Sequence, residues 1–267
     1  MIEEKVNKLD SILKELKSFV VAFSGGVDSS FLLHRSHSLK IPEMIGITIR
    51  TPYIPEIEID DAIGFAKSHG INHTVIDLPF PEDVRNNPID RCYICKKTLF
   101  SELRAYAENN GYSYVIEGTN ADDTGDYRPG LRALRELEIR SPLLEAGLSK
   151  NEIRELLHLE ALPVWDKPAL ACLLTRIPYD TTITDRMLRM IEQAEYLLFE
   201  KGYPGSRVRI HGDLARIECP PAFFEKIIRN PDKELIISNL KKIGFRFISL
   251  DLEGYRTGSL NPEKNRL

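Results

Sequence analysis

Phe19-Val20-Val21-Ala22-Phe23-Ser24-Gly25-Gly26-Val27-Asp28-Ser29 is the stretch on which the reading of the whole chain turns. Its first five residues are apolar, β-branched or aromatic, the signature of a short buried strand. Two glycines follow, then an apolar stretch from about 29 to 39 with helical spacing. Glycines let a backbone turn sharply with its N–H groups pointing inward, which makes a nest for anionic oxygens. The helix that begins there adds partial positive charge at the same place. Asp28 and Ser29 are placed to serve as a Mg²⁺ ligand or as a helix cap. No lysine follows the glycines, so the loop is not a Walker A loop. A plain glycine turn joining a strand to a capped helix is the competing reading.

Outward from this loop the chain alternates. Residues 2–17 read as an amphipathic helix, with Val6, Leu9, Ile12, Leu13 and Leu16 on one face. Strands are expected at 44–49, 73–76 and 114–116, with helices at 56–69 and 93–109. Strands alternating with helices of this length predict an α/β fold, a doubly wound parallel sheet. Right-handed crossovers then bring the loops after the strands to one edge, where ligands bind. Glu117-Gly118-Thr119-Asn120-Ala121-Asp122-Asp123 follows the fourth strand and so belongs to that edge. Its carboxylates suit Mg²⁺; an Asx-rich loop capping a helix at 129–138 is the alternative.

Beyond about residue 145 the rhythm changes. Ser149 and Glu152 form a capping box. Residues 158–183 read as an ordered irregular segment, and a helix from about 184 to 201 ends at Gly202. Arg207–Ile210 and Leu214–Cys219 read as a hairpin around Gly212-Asp213. Helical segments over 221–241 and a last strand at 245–250 complete a second, smaller α+β domain. The expected division is 1–165 for nucleotide binding and 166–267 for substrate binding.

Composition narrows the function classes. Hydrophobic residues make up 42% of the 267 and charged residues 28%, with a formal net charge of −4. Such a balance argues against a nucleic-acid partner, which would need a local basic patch. The charged Met1-Ile2-Glu3-Glu4-Lys5 lacks the apolar core of a secretory signal, and no apolar run reaches the ~18 residues of a membrane span. A cytoplasmic protein without a membrane partner is expected.

Four cysteines do not make a disulfide scaffold in a chain of this length. Cys92 and Cys95 lie in Arg91-Cys92-Tyr93-Ile94-Cys95-Lys96-Lys97 at a helix start, where amide N–H groups and basic residues stabilise thiolate. Cys172 sits in an irregular segment of a kind that can fold over the sheet edge. Three thiolates are too few for a closed zinc site, yet suffice for three corners of a 4Fe-4S cluster with one iron left open. A redox dithiol, a zinc site completed by Cys219, and simple core cysteines are the alternatives. On the predicted hairpin, Arg207 and Arg209 alternate and so share a face, suited to phosphate or carboxylate. Glu218 on the partner strand is placed to pair with them or to bind a cation. A solvated polar face explains the same pattern.

The Ser-Gly-Gly-Val-Asp-Ser hexapeptide resembles the signature of the PP-loop ATP pyrophosphatase superfamily. Further blocks resemble the LarE family of ATP-dependent sulfur transferases over nearly the whole chain: Arg91–Lys97, Asp126-Tyr127-Arg128-Pro129-Gly130-Leu131, Trp165 to Tyr179, Arg207-Val208-Arg209, Ala215-Arg216-Ile217-Glu218, Leu250-Asp251-Leu252 and Gly254-Tyr255-Arg256. The resemblance implies that ATP adenylates a carboxylate of pyridinium biscarboxylic acid mononucleotide and that a sulfur nucleophile displaces AMP, on the way to a nickel-pincer cofactor. It implies ATP binding by Ser24, Gly25, Gly26, Asp28 and Ser29, with Mg²⁺. It implies substrate phosphate binding by Arg207, Arg209 and Arg256, cation binding by Glu195 and Glu218, and Lys96 and Arg176 near the reacting groups. A sulfide donor and a homo-oligomer are implied partners. One departure selects a subtype. The form of the family that sacrifices a cysteine carries it five residues before the arginine matching Arg176, where this chain has Ala171. Cys172, with Cys92 and Cys95, instead resembles the members that hold a 4Fe-4S cluster. A tRNA thiolase and a non-enzymatic adenine-nucleotide module are the competing functions.

Overall fold

The structure is a computed structural model that describes residues 1–125, 129–168, 171–229, 231–256 and 260. It divides into two compact units. The first holds residues 1–84 and 90–170, the second 85–89 and 171–267.

In the first unit, helix α1 (Ile2–Leu16) buries Leu9, Leu13 and Leu16, as its apolar spacing predicts. Strand β1 (Ser18–Ala22) follows, then helix α2 (Val27–Ser38), strand β2 (Glu43–Arg50), helix α3 (Glu56–Ser68) and strand β3 (His73–Asp77). Helix α4 (Arg91–Asn109) and strand β4 (Tyr114–Ile116) complete the sheet. All pairings are parallel and the order is β3-β2-β1-β4. Phe19 stands beside Met44 on one side and Tyr114 on the other. Successive residues of β1 face opposite layers, as a strand requires. Phe19 and Val21 pack with α1 and α2, whereas Val20 joins Phe100 and Leu103 of α4. Both faces are therefore covered, which explains why β1 reads as a continuous apolar run.

Helices α5 (Pro129–Glu136), α6 (Pro142–Ala146) and α7 (Lys150–Leu159) follow. The capping box is present: Ser149 accepts from the Glu152 amide and the Glu152 side chain reaches back. Residues 163–168 stay on this unit because Arg154 holds the carbonyl of Lys167 at 2.9 Å. The division thus falls between 170 and 171, a few residues past the expected one.

The second unit contains helix α8 (Asp185–Glu200), capped by Thr184, then the antiparallel strands β5 (Arg207–His211) and β6 (Leu214–Glu218). Helices α9 (Phe224–Ile228) and α10 (Asp232–Ile243) lead to strand β7 (Phe247–Leu250). It lies parallel to β6, giving the order β5-β6-β7. Arg85–Ile89 joins this unit through buried Asn87, whose amide donates to the carbonyls of Ile177 and Pro178, both at 2.9 Å. Among the described residues no helix is long and apolar enough to cross a membrane.

Candidate functional site

The strand order reverses between β1 and β4, and the loops leaving their carboxyl ends flank the crevice at which doubly wound sheets take ligands. The loop after β1 is built by its glycines. Gly25 has φ +70°, and a Cβ there would lie 3.1 Å from that of Ala62 in α3. Gly26 caps α2 with extended backbone and no side-chain bond to the helix. The amides of the first turn therefore keep their donors for a ligand, with the helix dipole behind them. The Ser24 and Ser29 hydroxyls are 3.1 Å apart, and Ser29 also donates to the Gly26 carbonyl at 3.2 Å. These bonds hold the loop in shape before any ligand arrives.

The loop after β4 comes down on the same helix end. A Cβ at Gly118 would sit 3.0 Å from the Ser29 nitrogen. Glu117, buried, accepts from the Thr119 amide at 3.0 Å, the Thr119 hydroxyl at 2.8 Å and Ser141 at 2.5 Å. It is committed to holding the turn. Asp123 accepts from the Asn120 amide at 3.0 Å. Asp28 differs. Burial, the larger effect, raises its carboxyl above the usual range, while Lys150 pulls it back and Asp123 adds repulsion. One Asp28 oxygen is ion-paired to Lys150; the other, Oδ1, is buried without a hydrogen-bond partner. A half-buried carboxylate beside a second carboxylate has the donor chemistry that Mg²⁺ takes.

Two lysines complete this site, and neither was singled out from the sequence. Lys150 occupies the first turn of α7, where the helix dipole disfavours a cation. That misplaced charge is the signal that could have found it. Lys167 donates to the Gly25 carbonyl at 3.0 Å and pairs with Asp61 at 2.8 Å, so it straps the loop to α3.

Cys92 and Cys95 stand on the first two turns of α4, Cys92 exposed and Cys95 partly so. The hydroxyl of buried Tyr53 lies 3.1 Å from the Cys95 sulfur. Lys96 lays its methylenes over Gly130, where a Cβ would meet its Cδ at 2.7 Å. Cys172 precedes the 3₁₀ turn Leu173–Arg176 in the second unit. None of the four cysteines forms a disulfide. Cys219 is buried, which pushes its thiol up, as suits a core residue. Among the described residues no three His, Cys, Asp or Glu side chains gather as a metal site. By donor chemistry thiols such as these, Cys92 exposed and Cys95 and Cys172 partly so, are the ligands that an iron–sulfur cluster takes.

In the second unit Arg207 and Arg209 are both buried. Arg209 meets Glu218 at 2.8 Å and the Thr175 carbonyl at 2.5 Å, while Arg216 takes the other oxygen of Glu218 at 2.9 Å. Arg207 donates to the Ser206 carbonyl at 2.9 Å and lies 5.4 Å from the Tyr255 ring centre. Burial, the larger effect, and neighbouring Arg176 and Arg209 push its pKa down. A guanidinium so placed gains from an anion. Arg176 grips Glu195 through two bonds, at 2.8 and 2.9 Å. Both glutamates expected to bind cations therefore face arginines. Arg256, exposed, pairs with Glu253. Asp126, Tyr127 and Arg128 lie outside the described residues.

No protein-family model matches the chain. An uncharacterized protein of Synechocystis is 38% identical over 98% of both chains. A solved structure of NMN synthetase from Francisella tularensis aligns at 20% identity and TM-score 0.49 over 63% of this chain and 75% of that one, a likeness too slight to bear on the site. The pyridinium-3,5-bisthiocarboxylic acid mononucleotide synthase of Lactiplantibacillus plantarum is 36% identical over 95% of this chain and 92% of its own. Identity of that size across nearly the full length of both proteins makes this chain a member of the LarE family to which that synthase belongs.

Proposed function

We propose that this protein is an ATP-dependent sulfur transferase that converts a carboxylate of pyridinium biscarboxylic acid mononucleotide to a thiocarboxylate. The observation that carries the reading is its identity to the named synthase across nearly its whole length. The loop supports it, since the amides of Val27, Asp28 and Ser29 suit the departing phosphates. Asp28 and Asp123 would hold Mg²⁺, and Lys150, displaced from Asp28, would follow the negative charge.

In the first step a substrate carboxylate oxygen attacks the α-phosphorus of ATP. The bond to the bridging oxygen of the β-phosphate breaks, and pyrophosphate leaves. In the second, a sulfur nucleophile adds to the acyl carbon, the carbon–oxygen bond to AMP breaks, and the thiocarboxylate remains. Arg207, with Arg209 and Arg256, would hold the substrate's phosphate. Cys92, Cys95 and Cys172 would hold the 4Fe-4S cluster of the three-cysteine subtype, which supplies an iron without a protein ligand and so a replaceable sulfide. A sulfide donor is then the third substrate, beside ATP and the mononucleotide, and the chain's own cysteines survive each turnover.

The test is mass spectrometry of anaerobically purified protein incubated with Mg²⁺, ATP, sulfide and the mononucleotide acid. AMP and a thiocarboxylate should appear together, each requiring the acid. AMP release that ignores the acid, or none at all, would refute the assignment. Protein that stays iron-free after reconstitution would refute the cluster alone.

A further inference from the structure

Arg176 has no route to a substrate without dismantling its own surroundings. Its side chain is 1% exposed. Nε and Nη2 engage Glu195 at 2.8 and 2.9 Å. Nη1 reaches the Ala171 carbonyl at 2.7 Å, the Thr175 hydroxyl at 2.7 Å and the Cys172 carbonyl at 3.2 Å. A guanidinium carries five N–H donors in a fixed plane. Here one edge is closed by a carboxylate and the opposite end by the backbone that carries Cys172.

The same turn is tied at further points. The Cys172 carbonyl also accepts from the Thr175 amide at 3.1 Å and its hydroxyl at 3.0 Å. Glu195, while gripping Arg176, accepts from the Val208 amide at 3.0 Å. Arg209 donates to the Thr175 carbonyl at 2.5 Å. Cys172 is thereby linked to α8 through one carboxylate and to β5 through two bonds made by Val208 and Arg209, the two residues that follow Arg207.

We propose that Arg176 and Glu195 are positioning residues that fix the turn bearing Cys172 against the strand bearing Arg207, and that Arg176 itself does not touch the substrate. The proposal rests on the functional reading above only in treating Cys172 and Arg207 as working residues; the clamp itself stands on the geometry of the second unit. The chemistry asks for it. A sulfur ligand and an anion-binding arginine in one site must keep a set separation, and a 3₁₀ turn with few internal bonds cannot keep it alone.

Hydrogen exchange read by mass spectrometry on the full chain tests this, with steady-state kinetics alongside. Arg176→Lys keeps the charge against Glu195 but cannot span the carboxylate and the two carbonyls together. Exchange over residues 173–177 should quicken about tenfold or more. Turnover should fall while KM for the mononucleotide stays within about twofold of wild type. Arg207→Lys should do the reverse, raising that KM with exchange over 173–177 unchanged. Unaltered exchange in Arg176→Lys, or a raised KM with turnover intact, would overturn the proposal. If Arg176→Lys does not fold, Arg176→Met with Glu195→Gln removes both charges and keeps an acceptor for Val208. The same quickening is expected there, and its absence is equally fatal. Wild-type protein with no mononucleotide-dependent activity would sink the functional reading, while the exchange data would still decide the clamp.

Discussion

Replacing Gly118 by alanine should damage the nucleotide loop from a residue outside it. The added Cβ would lie 3.0 Å from the Ser29 nitrogen, 3.2 Å from the Asp28 carbonyl carbon and 3.2 Å from the Asp28 Cβ. None of these is the far end of a flexible side chain, so relief requires the N-terminus of α2 to move by a few tenths of an ångström. Behind it, Phe31, Leu32 and Leu33 are buried in the core and resist that shift. Overpacking of this kind costs about 1–3 kcal/mol. In a unit of this size that lowers Tm by roughly 3–10 °C. The amides of Asp28 and Ser29 move with the helix end, so the stabilisation conferred by Mg–ATP should shrink as well. Gly64→Ala is the matched control. Gly64 is exposed in α3, and a Cβ there meets nothing within 4 Å. It should raise stability by about 0.5–1 kcal/mol, because alanine loses less backbone entropy in a helix. Thermal melts of both variants with and without Mg–ATP give the answer. A Gly118→Ala protein that melts with wild type and responds equally to Mg–ATP would refute the close approach of the two loops.

Lys167→Met removes the strap on Gly25 and its pair with Asp61; calorimetric titration should show ATP affinity falling about tenfold, in keeping with ~1.5 kcal/mol for a charged hydrogen bond. Burial lowers the pKa of His73 below its ordinary 6.5, so the folded state prefers the neutral ring. The sign follows: its contribution is present above the unfolded pKa and is lost as pH falls through the folded one. Melts between pH 7.5 and 5 should steepen downward below about 6.5, and His73→Gln, which keeps a partner for Thr48, should flatten that slope. Cys219→Ser places a hydroxyl in a fully buried site and should cost about 1–3 kcal/mol, leaving iron content after reconstitution unchanged, whereas Cys172→Ser should lower it. Iron loss in both would mean that Cys219 is a ligand.

What the sequence determined by itself is local. The β1 run, the Gly25–Gly26 turn and the start of α2 are neighbours along the chain, so periodicity and glycine chemistry suffice to place them. The same holds for the Ser149–Glu152 capping box and for the hairpin whose strands are β5 and β6. Alternation also put Arg207 and Arg209 on one face correctly. It could not say that both would be buried, because burial there depends on α8 and the 3₁₀ turn that pack against β5.

Tertiary structure alone decided the partners. Lys150 and Asp28 are 122 residues apart, Lys167 and Gly25 142, and Tyr53 and Cys95 42. Such pairs exist because the sheet order β3-β2-β1-β4 gathers separate loops at one edge. No spacing rule reaches across that distance. Charge tells the same story in the second unit. Arg176, Glu195, Arg209 and Glu218 all read as ligand groups when taken singly. A buried charge needs a counter-charge or hydrogen bonds to stay folded, and the fold satisfies Arg176 with Glu195 and Arg209 with Glu218. The sequence supplied the charged groups, and packing decided which of them face each other.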